Sequence, residues 1–388
     1  MTTTEIIARC QTLHADLDFE SVKAWKAAAP GRKAIGYLPT YIPRELLWAA
    51  GVLPVGIVGG GDQLEIVKGD ACFQSYICHL PRSVVELGMS GRLDLLDGMI
   101  FPATCDVIRN MSGIWKLQFP DKYVKYFDIP HNYDSRIGGV FYEDHLREIL
   151  GEVEELSGHK VTDDELRAAI ELYNDNRRLA LELYELRAKE PWRVSATDCY
   201  LLMWAGLVLP PDEHSAMMRE YMELSRLADR PVRDNARVLV VGAFCEQPPL
   251  DLIRALEVAG CYVVEDDFLL INRWLGDTVS TTGDPIKALS EAYLNTPAET
   301  SSRYVDEDGS KGRFLIAAVR RSGAEGVVFA APSFCDPALL DRPMLQSALD
   351  AEGITYTSFK YAENTGQMQP IREQAGTFAD TIKLWGDA

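Results

Sequence analysis

Four cysteines, Cys78, Cys105, Cys245 and Cys335, are the side chains of this sequence best suited to chemistry. Cys105 and Cys335 stand in near-matching contexts, Pro102-Ala103-Thr104-Cys105-Asp106 and Ala331-Pro332-Ser333-Phe334-Cys335-Asp336-Pro337. Each follows an apolar run, Leu96 to Phe101 and Gly326 to Ala331, that reads as a buried strand. Their thiols therefore fall just past the carboxyl ends of two strands, where open α/β sheets bind ligands. Two thiolates from separate strand ends, with a third cysteine upstream, suit an iron–sulfur cluster better than zinc, because zinc sites usually arrive as short paired knuckles. No Cys-x-x-Cys occurs in the chain. Against this stands the plain alternative for any lone cysteine, a buried apolar filler.

The elements that must position these thiols follow from hydrophobic pattern and punctuation. Residues 1–30 read as helical, closed by Pro30-Gly31. Ala34 to Tyr37 predicts a short strand, Pro43 to Ala50 a helix with proline in its first turn, and Leu53 to Val58 the next strand, which makes a βαβ unit. Gly56 to Gly61 is rich in glycine but lacks the Gly-x-Gly-x-x-Gly spacing, so it reads as a loop. No Gly-x-x-x-x-Gly-Lys-Ser/Thr is present, and nucleotide hydrolysis is expected on another polypeptide. Cys78 opens or lies within a helix that stops near Gly88, and Leu93 to Phe101 is the strand that delivers Cys105. From Asp144 to Lys189 the apolar residues recur at helical spacing, interrupted by a capping box at Thr162-Asp163-Asp164-Glu165, and further helices run to Leu227. A second α/β unit begins at Arg237, with Cys245 in its first strand-to-helix loop, a helix Pro249 to Ala259 and a strand Cys261 to Glu265. Beyond the strand that leads to Cys335, a helix Pro343 to Ala351 and a strand Ile354 to Tyr356 are expected. The expected fold is α/β: two Rossmann-like (flavodoxin-like) parallel-sheet domains, 1–143 and 231–388, facing a cleft, with a helical linker region over 144–230.

Bulk composition narrows the function classes. The chain has 388 residues, a formal charge of -19, 47% hydrophobic and 25% charged residues, as expected of an ordinary globular protein. No apolar run approaches the ~20 residues of a membrane span, and residues 1–16 carry no basic region followed by an apolar stretch, so a cytoplasmic protein with reduced cysteines is expected. Such acidity argues against nucleic acid, though a local basic patch could still hold an anionic molecule such as coenzyme A.

The motifs together resemble those of the family that contains 2-hydroxyacyl-CoA dehydratases and ATP-dependent benzoyl-CoA reductases, and within it the C (gamma) subunits of the reductases. The residues that carry the resemblance are Gly36-Tyr37 and Pro43-x-Glu45-Leu46 with Ala49-Ala50-Gly51-x-x-Pro54, and Leu96-Asp97-Gly98 leading to the Cys105 motif. With them go Tyr173-Asn174-x-x-Arg177, the Cys335 motif and Gly366-Gln367. The resemblance implies that three cysteines hold one 4Fe-4S cluster, two of them Cys105 and Cys335. Cys78 is the favoured third, because a helix N-terminus stabilises a thiolate, with Cys72 competing beside Phe73. Cys245 occupies a loop that carries a ligand in members with a double-cubane (8Fe-9S) cluster, while Glu265-Asp266-Asp267 has an acid where a further cysteine would be wanted, so packing and ligation both stay open for Cys245. The resemblance further implies a homologous larger substrate-side subunit, ATP-hydrolysing activator subunits, ferredoxin as electron source and an acyl-CoA substrate. Ring reduction to a cyclic dienoyl-CoA is the expected activity, with dehydration of a 2-hydroxyacyl-CoA or reduction by a double-cubane centre as alternatives.

The proton donors are less defined. Tyr37, Tyr41 and Glu45 lie where the first strand gives way to the following helix, a position from which side chains reach a cleft, yet each also suits a structural role. His79 adjoins Cys78 and could act as an acid or orient a ligand. Arg109 and Asn110 follow Cys105 and could hydrogen-bond cluster sulfurs, or simply serve the start of a helix.

Overall fold

Runs of Val, Ile and Leu bounded by Gly and Pro become strands that are buried on both faces, as parallel sheets require. The computed structural model describes residues 1–40, 42–243, 246–276, 278–296, 298, 311–362 and 368–385. Tyr41, Cys245 and the Gly366-Gln367 pair lie outside the described residues.

Two helices, α1 (Thr3–Ala15) and α2 (Glu20–Ala27), occupy the amino-terminal segment. They are separate because the chain turns through Phe19, whose φ is 54°. The first sheet comprises β1 (Lys33–Tyr37), β2 (Val52–Gly56), β3 (Gly98–Pro102) and β4 (Tyr123–Phe127). Its helices are α3 (Arg44–Ala49) between β1 and β2, α4 (His79–Met89) before β3, and α5 (Asp106–Gln118) between β3 and β4. The helical region is α6 (Val140–Ser157), α7 (Asp163–Lys189), α8 (Ala196–Ala205) and α9 (Pro211–Leu227). Thr162 caps α7 through the expected capping box with Glu165.

The second sheet repeats the first with β5 (Ala236–Val241), β6 (Cys261–Asp266), β7 (Gly326–Pro332) and β8 (Tyr356–Tyr361). Around it pack α10 (Leu250–Val258), α12 (Arg313–Ser322), α13 (Asp336–Ala351) and α14 (Met368–Trp385), whereas α11 (Pro285–Leu294), between α10 and α12 in the chain, packs on α6 and α7. Every strand pairing is parallel, and the orders are β2-β1-β3-β4 and β6-β5-β7-β8. These are the two doubly wound sheets expected from the sequence. In each, the order reverses direction between the first strand and the third, the place where such sheets receive ligands.

One hydrophobic cluster runs from Ile6 in α1 through both sheets and the helical region to Ile382 in α14. Close contact is built in at Gly56, whose N–H donates to the Leu207 carbonyl at 2.8 Å, so that the turn after α8 docks directly on the end of β2. Among the described residues no helix is long and apolar enough to cross a membrane.

Candidate functional site

Cys105 and Cys335 follow β3 and β7, the corresponding strands of the two sheets, three residues beyond a terminal proline in each case. Proline at a strand's last position ends the ladder by withholding a donor, and the chain turns at once into a helix. Cys105 is the N-cap of α5 and Cys335 the N-cap of α13, each followed by an aspartate in the first turn. Cys78 is likewise the N-cap of α4. Helix α13 begins seven residues ahead of the expected start, because Pro337 rather than Pro343 takes the first-turn position and Pro343 lies within the helix.

The three thiols interact pairwise: Cys78 with Cys105, Cys78 with Cys335, and Cys105 with Cys335. Burial pushes the Cys78 thiol far up from its ordinary value, and the Glu246 carboxylate and the two other cysteines push the same way. Burial also raises Cys105, but the main-chain amides of Ile108 and Val107, which face its sulfur, pull it back down. Cys335 is 2% exposed. It is preceded by Phe334 at a φ of 65°, a left-handed conformation that a bulky residue adopts only under constraint, and the Phe334 ring projects into solvent. Cys72 ends a separate 3-10 turn, Asp70–Cys72, and caps none of these helices. The loop that precedes that turn is held by Glu86, whose Oε2 accepts the N–H groups of Val67, Lys68 and Gly69.

Three thiols at three helix N-termini, drawn from both sheets, form a donor set suited to an anionic iron–sulfur group. The positive ends of α4, α5 and α13 offset thiolate charge. Among the described residues no three His, Cys, Asp or Glu side chains converge on a single-ion position. A four-iron cube, were one bound here, would be held by Cys78, Cys105 and Cys335 and would supply one-electron chemistry.

The remaining candidates have distinct surroundings. His79 is buried as the first residue of α4. Tyr37 is fully buried, and burial raises its hydroxyl against the pull of the Arg44 guanidinium beside it. Glu45 accepts a hydrogen bond from Arg177 at 2.5 Å, and Arg177 in turn donates to Asn174. Arg44 donates to Asn272 across to the second lobe at 2.9 Å and lies over the Tyr173 ring. The Tyr173-Asn174-x-x-Arg177 motif and Glu45 thus belong to one buried network that joins α3, α7 and the segment after β6. Arg109 and Asn110 are exposed on the first turns of α5. What faces the Cys105 sulfur instead is main chain, which leaves no trace in residue type. Glu246, 3% exposed, was not among the expected residues; its only signal is that it adjoins Cys245 in a strand-end loop.

Residues 39–382 match the family model described as "2-hydroxyglutaryl-CoA dehydratase, D-component". The chain belongs to this family. It is 56% identical over 385 residues, 99% of this chain and the whole of the relative, to the C subunit of benzoyl-CoA reductase from Thauera aromatica. It is 28% identical to "(R)-2-hydroxyglutaryl-CoA dehydratase, subunit beta" of Acidaminococcus fermentans, over 92% of this chain and 94% of that one. With "(R)-phenyllactyl-CoA dehydratase beta subunit" of Clostridium sporogenes the identity is 26% over 91% and 92% of the two chains. The resemblance carried by the motifs is borne out at the level of the family, and the relatives' names as subunits imply an assembly with a partner chain.

Proposed function

We propose that the chain is the smaller iron–sulfur subunit of an ATP-dependent benzoyl-CoA reductase, which passes single electrons to the ring of an aromatic acyl-CoA thioester to give a cyclic dienoyl-CoA. The observation that carries this reading is the 56% identity through the full length to the C subunit of a benzoyl-CoA reductase. The dehydratase relatives, at 26% and 28%, favour the second reading, a 2-hydroxyacyl-CoA dehydratase subunit, less strongly. ATP-hydrolysing subunits fed by ferredoxin, and a homologous larger subunit, complete the proposed assembly.

Cys78, Cys105 and Cys335 would hold a 4Fe-4S cluster, which when bound supplies electrons one at a time at a strongly negative potential. The chain's own residues prepare the place for it. Burial raises the Cys78 and Cys105 thiols, thiolate ligands give up their protons to bind metal, and the amides of Ile108 and Val107 would compensate the thiolate at Cys105. Residues packed into the core around Cys335 limit water, which preserves a strong reductant. His79, beside Cys78, is the candidate here for a proton donor, and Cys245 the candidate ligand for a double-cubane centre.

The test is anaerobic purification with the partner subunits, a count of iron and acid-labile sulfide per chain, and assays of dearomatisation and dehydration with the ATP-hydrolysing module present. Cys78→Ser, Cys105→Ser and Cys335→Ser should each lose the iron and the turnover while the chain stays folded, and Cys72→Ser should keep both. Retained iron in the Cys105 and Cys335 variants would contradict the assignment. Water elimination without ring reduction would favour the dehydratase.

A further inference from the structure

The loop Val58 to Gln63, from the glycine-rich stretch after β2, forms one side of a cavity of about 210 Å³ between the lobes. The other side is the segment Gln247 to Asp251, which joins β5 to α10, so the cavity lies past the carboxyl ends of one strand from each sheet. Among the described residues no cysteine lines it. Both sides are anchored on α4. Gly60 donates its N–H to Ser83 Oγ at 2.7 Å, and Glu246, beside Gln247, accepts the Leu80 N–H at 3.1 Å from a loop 166 residues away in sequence. A third wall is aromatic: His14 of α1 stands edge-on to Trp204 and Tyr200 of α8, with ring centroids 5.2 and 6.1 Å apart. Burial, with the Arg254 charge, holds the His14 imidazole below its ordinary value against the pull of Asp62, so the ring is uncharged at neutral pH. Gln247 is 4% exposed. Its Oε1 accepts the Leu269 N–H at 2.9 Å, which fixes the orientation of the amide, and its Nε2 has no partner. A buried N–H2 in such a place calls for an acceptor. Helix α10 starts beside it with Pro249 as N-cap, which offers its first N–H groups no side-chain acceptor. At the mouth stand the exposed Asp62 and Asp251, the latter paired with Arg254 at 3.2 Å.

We propose that this cavity is a binding site for a small uncharged aromatic molecule that carries a carboxamide. An apolar cavity of ~150 Å³ takes up benzene. The volume here therefore holds a single ring with a short substituent. The ring finds flat partners in Trp204, Tyr200 and His14. The carbonyl oxygen of the ligand accepts from the Gln247 N–H2 and the first turn of α10, and the amide N–H2 of the ligand donates toward the carboxylates at the mouth. A carboxylate in place of the amide would bring negative charge toward Asp62 and offer no donor. A saturated ring would forfeit the aromatic contacts. Such binding involves no iron–sulfur group and is independent of the redox function.

Benzamide is the probe, with benzoate and cyclohexanecarboxamide as comparisons, titrated into the full-length chain labelled with fluorotryptophan. The fluorine resonance of Trp204, identified by its absence in Trp204→Phe, should shift saturably with benzamide, and the two comparison molecules should bind about tenfold more weakly. Gln247→Glu keeps an oxygen for Leu269 and replaces the donor by an acceptor, so benzamide should weaken about tenfold, the worth of one buried hydrogen bond. Asp62→Asn, at the exposed mouth, should raise the affinity for benzoate several-fold. A Trp204 resonance that no probe moves, equal binding of all three probes, or benzamide affinity unchanged in Gln247→Glu would overturn the proposal. Should Gln247→Glu fail to fold, Asp62→Asn still decides, because unchanged benzoate affinity there would remove Asp62 from the mouth of the site and the preference for an uncharged ligand with it.

Discussion

Glu45 and Arg177 are each 4% exposed and 2.5 Å apart, so neither can exchange its partner for water. Removing one member of such a pair leaves a buried charge uncompensated, at a cost of about 3–5 kcal/mol. Glu45→Ala should lower the unfolding free energy by that order in denaturant titrations. Were Glu45 instead a proton donor free in the cleft, the substitution would cost turnover and leave stability nearly intact. Asp267 makes a second prediction, in pH. Its carboxylate accepts the Gly242 N–H at 2.7 Å. Burial, with the Asp266 charge adding to it, pushes its carboxyl up to about 7. An unfolded aspartate titrates near ~3.9. Between those values the native state holds the proton more tightly, so the stability from Asp267 is full below about pH 4 and is lost as pH rises toward 7. Asp267→Asn, which keeps an oxygen for Gly242, should gain in melting temperature over the parent as pH climbs through that window. A constant difference across it would remove Asp267 from the account.

Docking of elements on one another sets the next scale, and Gly56 is one of the places where elements meet closely. A Cβ added there would meet the Leu207 side chain at 2.8 Å, and Leu207 is itself fixed by its carbonyl's bond to the Gly56 N–H. Gly56→Ala should therefore cost ~1–3 kcal/mol by overpacking, measured by chemical denaturation, and a variant as stable as its parent would mean that α8 and its following turn shift freely. The strands around this point were legible in the sequence because parallel strands buried on both faces are short apolar runs. Cys105 and Cys335 were legible because each follows such a run through the same Pro-x-x-Cys-Asp turn. Strand β4 left no such run: Tyr123-Val124-Lys125-Tyr126-Phe127 is an edge strand, half-buried over most of its length, with a lysine at its centre. Glu246 was hidden for another reason, since a cap that arrives from a distant loop has no local spacing to betray it. The amides that face Cys105 are hidden more completely, because any residue but proline supplies one.

Helix α7, 27 residues and roughly 40 Å long, links the two sheets as a single strut. Midway along it Arg177 holds Glu45 of the first lobe, and toward its end Tyr184 and Arg187 hold Asp266 at the end of β6, at 2.8 and 2.7 Å. Arg187 is fully buried and lies over the Tyr184 ring. Burial alone would lower its pKa, but the Asp266 charge together with Cys199, Tyr184 and Glu265 holds it well above the ordinary value. Because the hydrophobic cluster is continuous across both lobes, loosening this strut at one end should be felt at the other. Arg187→Met keeps the volume but leaves the Asp266 carboxylate to Tyr184, the Phe268 N–H and the more distant Arg273, so a loss of about 3–5 kcal/mol is expected. In calorimetry the variant should still unfold in one transition, moved to lower temperature, with tryptophan fluorescence and far-ultraviolet dichroism changing together. Two separable transitions would show that the lobes fold independently and that α7 transmits nothing between them.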